Sequence, residues 1–135
     1  MIDSASFDAE VHQLHAFFGR WYSGDADPAE FSRFDVLADS FVMIGPDGRI
    51  TNVGKGREMI RASFGLRSID STIKNLSVRP DAPVGTYEEW QTDSGITTGR
   101  LSTVVMTSAP PISPTGCSGY IFTKPGCRTL ARSAY

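Results

Sequence analysis

The sequence contains few of the residues and patterns that would assign it to a specialised class of protein. Its 135 residues include only two cysteines and two histidines, which is too few for a disulfide-stapled scaffold or a histidine-rich metal site. No stretch approaches the ~20 apolar residues of a membrane-spanning helix. The opening MIDSASFDAE also has acids where a signal peptide carries bases. We therefore expect a cytoplasmic protein with no membrane partner, no metal and no cofactor.

Strong charge of either sign is also absent. Thirteen basic and fifteen acidic residues leave a formal net charge of −2, and the bases are scattered along the chain. A nucleic-acid-binding domain would be expected to cluster its lysines and arginines, so we expect no nucleic-acid partner. A hydrophobic fraction of 40% and a charged fraction of 21% are ordinary for one globular domain of this length.

Helical periodicity is clearest near the start of the sequence. Val11, Leu14, Phe18 and Trp21 recur at steps of three and four residues, which predicts one buried face of an amphipathic helix. Ser6 is the predicted N-cap of this helix.

Two shorter helices are expected further along the chain. Asp27, Pro28 and Glu30 have the spacing of a capping box with proline in the first turn. Residues 54–65, GKGREMIRASFG, form the third predicted helix.

The other segments have the alternation and turn residues of β-strands. Residues 40–54 predict a hairpin around Pro-Asp-Gly, and residues 85–108 predict a longer hairpin around Asp-Ser-Gly. Between them lies a predicted strand at 71–81, where Ile73 is out of step with Leu76, so we expect a β-bulge. Early helices followed by long antiparallel strands predict an α+β fold, with the helices packed on one face of a curved sheet.

This order of elements, with FVMIGPDGRI after the second helix and YEEWQ opening the last hairpin, resembles the nuclear transport factor 2-like superfamily. The resemblance covers roughly Phe7–Thr107, and the chain looks like the uncharacterised bacterial branch alongside SnoaL-like proteins and ketosteroid isomerases. It implies a cystatin-like cone with a pocket between sheet and helices. It also implies frequent homodimers through the outer face of the sheet.

The same resemblance implies one more strand, rich in Trp and His and close to WLHxHETW. Residues 1–108 accordingly form the expected domain, whereas residues 109–135 are an atypical tail that contains both cysteines, Cys117 and Cys127. We expect reduced thiols because no secretion signal is evident, although a disulfide between them stays an alternative.

The tail has a simple explanation as a shifted reading frame. If each codon begins at the third base of the preceding codon, residues 115–127 can be read as NGLQWLHLHETWL with permitted synonymous codons. We therefore hypothesise a frameshifted final strand, with the break near Thr107–Pro111. The restored histidines would make a metal or acid–base site conceivable. The alternative is a native tail in which Tyr120–Phe122 forms a short closing strand.

Adjacent carboxylates on the penultimate predicted strand are the candidate chemistry. Glu88 and Glu89 must point to opposite faces of the sheet. If Glu89 shares the pocket face with Tyr87 and Gln91, it becomes a general base beside a tyrosine donor, suited to removing a proton next to a carbonyl. The alternative places Glu89 on the outer face in a cross-strand pair with Arg100.

Large apolar side chains are the candidate pocket lining. Trp21, Phe41 and Met43 are assigned to the pocket together with Tyr87, and the alternative is that they belong to the core. His15 is interpreted as a residue at the flank of its helix.

The sequence thus predicts a domain that binds a small molecule in an apolar pocket. Two alternatives stay open. One is a non-enzymatic homodimerisation module. The other is an isomerase, dehydratase or hydrolase that uses Glu89 and Tyr87.

Overall fold

Helices cover one face of a curved, mainly antiparallel sheet in the computed structural model of this chain. The structure describes residues 3–37, 41–44, 48–107, 118–123 and 130–131. The hypotheses about Cys117 and Cys127 therefore lie outside the described residues.

The first helix, α1, spans Ser4–Ser23. Its N-cap is Asp3, whose Oδ1 accepts a hydrogen bond from the Ser6 backbone N–H at 2.7 Å. The prediction of Ser6 as the cap was therefore wrong, because Asp3 is an equally good cap one turn earlier and Ser6 lies inside the helix. Gly24 ends the helix with a φ of 81°, a left-handed conformation that favours glycine.

One face of α1 supplies much of the hydrophobic core. Phe34, from the next helix, is fully buried there and its ring lies 5.0–5.2 Å from those of three phenylalanines. The buried apolar residues of α1 are Phe7, Val11, Leu14, Phe17 and Trp21.

The second predicted helix is a 3₁₀ helix over Pro28–Val36, and its capping box is confirmed. Asp27 accepts from the Ala29 N–H at 2.8 Å, while Glu30 accepts from the Asp27 N–H at 2.9 Å. The third helix, α2, is also confirmed and runs over Val53–Ala62.

The described residues form the strands β1 (Val42–Ile44), β2 (Ile50–Asn52), β3 (Ile69–Val78), β4 (Val84–Asp93), β5 (Ile96–Thr107), β6 (Ser118–Thr123) and β7 (Leu130–Ala131). These strands form one sheet in the order β2-β1-β6-β5-β4-β3, with the short β7 pairing beside β5. All neighbours pair antiparallel except β1 and β6, which are parallel. The predicted α+β architecture is confirmed.

Local irregularities of the sheet also follow the sequence. The expected bulge lies on β3, where the pairing with β4 shifts between Lys74 and Ser77 and Asn75 has a φ of 54°. Ser94 and Gly95 connect β4 to β5 with φ values of 53° and 78°, the positive pair that a tight two-residue hairpin turn requires.

Alternation along β4 decides which residues face the helices. Tyr87 and Glu89 are 2% and 5% exposed, and their cross-strand partners are Ser102 and Arg100. Because paired residues lie on the same face of a sheet, these four positions form the inner face beneath α1. Within the described residues, no helix combines the length and apolarity needed to cross a membrane.

Candidate functional site

A cavity of about 280 Å³ lies between the helices and the inner face of the sheet. Its volume is near the lower end of the roughly 300–1,000 Å³ typical of ligand pockets. One side is apolar and the other carries a group of polar side chains. The apolar lining is Phe18, Tyr22, Leu37, Phe41, Met43, Gly56, Met59 and Ile60, and the polar lining is His15, Ser63, Arg67, Ser71, Glu89, Gln91 and Arg100.

Glu89 is at the centre of the polar side. Its Oε1 accepts a hydrogen bond from Gln91 Nε2 at 2.5 Å. The guanidinium of Arg100 contacts both oxygens, with Nε 3.4 Å from Oε2 and Nη2 3.5 Å from Oε1. This cross-strand cation balances the charge of a carboxylate that is only 5% exposed, and an unpaired carboxylate buried to that extent would be costly.

His15 reaches the same carboxylate from α1. Its Nδ1 lies 2.7 Å from the Val11 carbonyl oxygen, and because a carbonyl can only accept, Nδ1 must carry the proton. The other nitrogen, Nε2, then faces Glu89 Oε2 at 3.5 Å and the Tyr87 hydroxyl at 3.4 Å. The helix therefore fixes the imidazole so that Nε2, the nitrogen that does not bond the Val11 carbonyl, points at Glu89 and Tyr87.

Two tyrosines flank this cluster as neutral hydrogen-bond donors. Burial, and then the negative charge of Glu89, raises the pKa of Tyr87 well above its usual value. The same two causes, in the same order, raise the pKa of Tyr22, which lines the cavity. Both phenols consequently keep their protons at neutral pH, where they can donate but do not act as bases.

Three of the residues assigned from the sequence meet at this cavity: Phe41, Met43 and Glu89. Tyr87 lies behind the lining and contacts His15. Trp21 is 2% exposed in the core, and its Nε1 donates to the Ile60 carbonyl at 2.8 Å. Among the described lining residues, neither Trp21 nor Tyr87 is found.

Glu89 satisfies parts of both sequence interpretations. It pairs with Arg100, as the outer-face alternative required, but the pair lies on the inner face of the sheet and lines the cavity.

His15 is the residue whose role the sequence did not indicate. It is 6% exposed and lines the cavity. The spacing of His15 could have indicated its burial, because His15 lies four residues after Val11 and three before Phe18, both in the predicted apolar stripe.

Among the described residues, no group of three or more Cys, His, Asp or Glu side chains is arranged to hold a metal ion. Arg67, at the edge of the cavity, is paired with Asp93 through its Nε at 3.0 Å. Because Arg67 and Arg100 each pair with a carboxylate, the polar side of the cavity has little net charge.

Comparisons with known proteins identify the fold. Neither a protein-family model nor a curated protein matches the sequence. A solved structure of an NTF-2-like protein of unknown function from Pseudomonas aeruginosa is similar, with a TM-score of 0.73 and 23% sequence identity. The similarity covers 87% of this chain and 98% of that one. This chain therefore has the NTF-2-like fold.

Proposed function

We propose that this chain binds a small, largely apolar molecule with one uncharged polar end. The observation that supports the proposal is the two-sided cavity, in which an apolar lining faces a charge-balanced cluster around Glu89. A carbonyl or hydroxyl group can exchange hydrogen bonds with His15, Gln91 and Arg100, whereas an added net charge would lack a counter-charge. The apolar part of the ligand would pack against side chains such as Phe41 and Met43.

A thermal-shift series with uncharged ring ketones, ring alcohols and their parent hydrocarbons tests this proposal. A ligand at a hundred times its Kd stabilises the folded state by about 2.7 kcal/mol. We expect the ketones or alcohols to raise the melting temperature and the hydrocarbons to raise it less.

Variants of α2 show whether such binding uses the cavity. A Cβ on Gly56 would sit 3.8 Å from both Phe41 and Thr51, which is ordinary contact, so Gly56→Leu fills the cavity without a backbone clash. We expect Gly56→Leu to abolish the shift. The matched control, Ala62→Leu, changes an exposed residue of the same helix and should preserve the shift. A shift that survives Gly56→Leu would contradict binding in this cavity.

Acid–base catalysis is a second candidate, favoured by the contact between His15 and Glu89. A buried carboxylate 3.5 Å from an imidazole Nε2 can accept a proton from a carbon next to a carbonyl. Tyr22 is the phenol that lines the cavity, and it suits the donor role better than Tyr87, which lies behind His15. The reaction class would be that of an isomerase or a dehydratase, with hydrolysis as a further alternative.

Deuterium exchange at the α-carbon of a bound ketone, followed by NMR in heavy water, tests this second candidate. General-base catalysis contributes typically ~10²–10⁴-fold, so Glu89→Gln should slow the catalysed exchange by about that factor. Glu88→Gln is the control, because Glu88 lies on the opposite face and contacts Asn75 and Trp90. Equal rates in wild type and Glu89→Gln would exclude Glu89 as the base.

Homodimerisation through the outer face of the sheet is a third candidate. Leu101 on β5 is 49% exposed there, and the Trp90 ring covers Gly99 beside it. Sedimentation velocity tests this candidate with Leu101→Lys, which should dissociate the dimer, and Leu66→Lys, on a loop, which should not. A monomeric wild type would contradict it. The cytoplasmic location and the absence of cofactor and nucleic-acid partners stay predictions from the sequence.

A further inference from the structure

His15 lies at the boundary between two sides of α1. With 100° between successive residues, Phe18 and Tyr22 fall on one side of His15, and Gly19 and Ser23 on the other. The first pair lines the ligand cavity. The second pair lines a separate groove of about 330 Å³ between α1 and the start of β3.

This groove is polar and reaches the same imidazole. His15 and Ser71 line both the groove and the cavity, and the other residues that line the groove do not line the cavity. On the side of α1, the groove is bordered by Ala16, Gly19, Arg20 and Ser23.

Gly19 keeps the groove open next to His15. It lies one helical turn after His15 and has no side chain to cover the imidazole. A Cβ at this position would lie 3.4 Å from the Ile69 carbonyl oxygen of β3, so helix and strand approach closely here. A longer side chain at position 19 would have to extend along the groove and narrow the approach to His15.

We propose that water and protons reach His15 through this groove, by a route separate from the ligand cavity. The use of such a route rests on the proposed function, because the route would let the His15–Glu89 pair exchange protons with solvent while a ligand occupies the cavity. Gly19 and Ser71 are the residues that border the route at its inner end. The route itself is a property of the free protein and can be measured without any ligand.

Hydrogen–deuterium exchange at the imidazole carbon Cε1 in D₂O is a direct probe of this route. Deuteroxide removes the Cε1 proton from the protonated ring, and the carbanion formed then takes a deuteron from D₂O. Cleavage after Leu14, which lies between His12 and His15, gives peptides in which mass spectrometry can follow the two histidines separately. His12, whose side chain is 49% exposed on the same helix, is the internal reference.

Three variants separate the two routes. Gly19→Leu narrows the groove, and Ala16→Leu, at its exposed rim, is a second variant should Gly19→Leu not fold. Met59→Trp instead narrows the cavity at a lining residue that is 51% exposed. Ala62→Leu is the matched control, since Ala62 is exposed and lines neither the cavity nor the groove.

We expect Gly19→Leu to slow Cε1 exchange at His15 by about fivefold or more, with the His12 rate and the melting temperature preserved. Met59→Trp should slow it much less, and Ala62→Leu should leave it unchanged. An unchanged His15 rate in both groove variants would overturn the proposal, as would an equal or larger slowing in Met59→Trp. Failure of the ketone-binding assay leaves these expectations untouched, so the two proposals fail independently.

Discussion

Alkaline unfolding tests the polar cluster directly, because Tyr87 is only 2% exposed and lies close to Glu89. Burial, and then the charge of Glu89, places the pKa of Tyr87 above its usual value of 10.0. Above that pH the unfolded chain releases a proton that the folded chain retains. The stabilisation by the neutral phenol is therefore complete below pH 10.0 and is lost progressively as the pH rises above it.

The size of the effect follows from this linkage. One proton bound by the folded state and not by the unfolded state changes the free energy of unfolding by about 1.4 kcal/mol per pH unit. At neutral pH, Tyr87→Phe loses one hydrogen bond to His15, worth about 1 kcal/mol. The two chains should therefore be equally stable about one pH unit above the ordinary tyrosine pKa, near pH ~11, and the variant should be the more stable one beyond that point.

Urea unfolding followed by circular dichroism, repeated from pH ~7 to pH ~11.5, measures both curves. All ionisable groups other than Tyr87 are common to the two chains, so their contributions cancel in the difference between variant and wild type. Two parallel curves, with a constant difference at all pH values, would refute the burial of Tyr87 beside Glu89.

Three further predictions concern the core, a buried ion pair and the tail. Phe34→Ala should lower the free energy of unfolding by about 3–5 kcal/mol, whereas Leu66→Ala, at a position 73% exposed, should change it by less than ~0.5 kcal/mol in the same urea titration. Glu10→Leu should cost about 3–5 kcal/mol because it strands the Arg33 guanidinium 2.6 Å away, and adding Arg33→Met should recover much of that loss. Resequencing the end of the gene should find NGLQWLHLHETWL in the neighbouring frame of residues 115–127, and a protein with this segment should melt at a higher temperature. Different codons, or an equal or lower melting temperature, would contradict the frameshift hypothesis.

The elements that could be predicted from the sequence are those fixed by local chemistry. The capping box at Asp27 and Glu30 needs only residues three apart. The β4–β5 hairpin needs only a turn that tolerates positive φ at Ser94 and Gly95. Asp3 was missed because two good caps lie within one turn, and the packing of the whole helix decides between them.

The composition of the cavity was harder to predict because it depends on which face of the sheet the helices cover. Alternation separates Glu88 from Glu89 but does not say which of them faces inward. The same limit applies to Trp21, because its core contacts, among them a hydrogen bond to the Ile60 carbonyl 39 residues away, come from distant segments of the chain. His15 was assigned to the flank of its helix. The contact of that flank with β4 could not be predicted, because it depends on the tertiary packing of the helix on the sheet.

The sheet register gives the frameshift hypothesis a sharper consequence. Strand β6, at Ser118–Thr123, joins the β1–β2 hairpin to β5, and both the native and the shifted readings place a strand there. Positions 121 and 123 pair with Val105 and Thr103. On β5, Val105 and Thr103 alternate with the fully buried Val104, so Val105 and Thr103 belong to the outer face of the sheet.

The two histidines of the shifted strand would fall at positions 121 and 123, opposite these outer-face residues. The leucine between the histidines would pair with Val104 on the inner face. A restored strand would therefore add apolar packing beneath the helices and imidazoles to the outer face. The proposed acid–base chemistry of the cavity would therefore involve His15 and Glu89 in either reading.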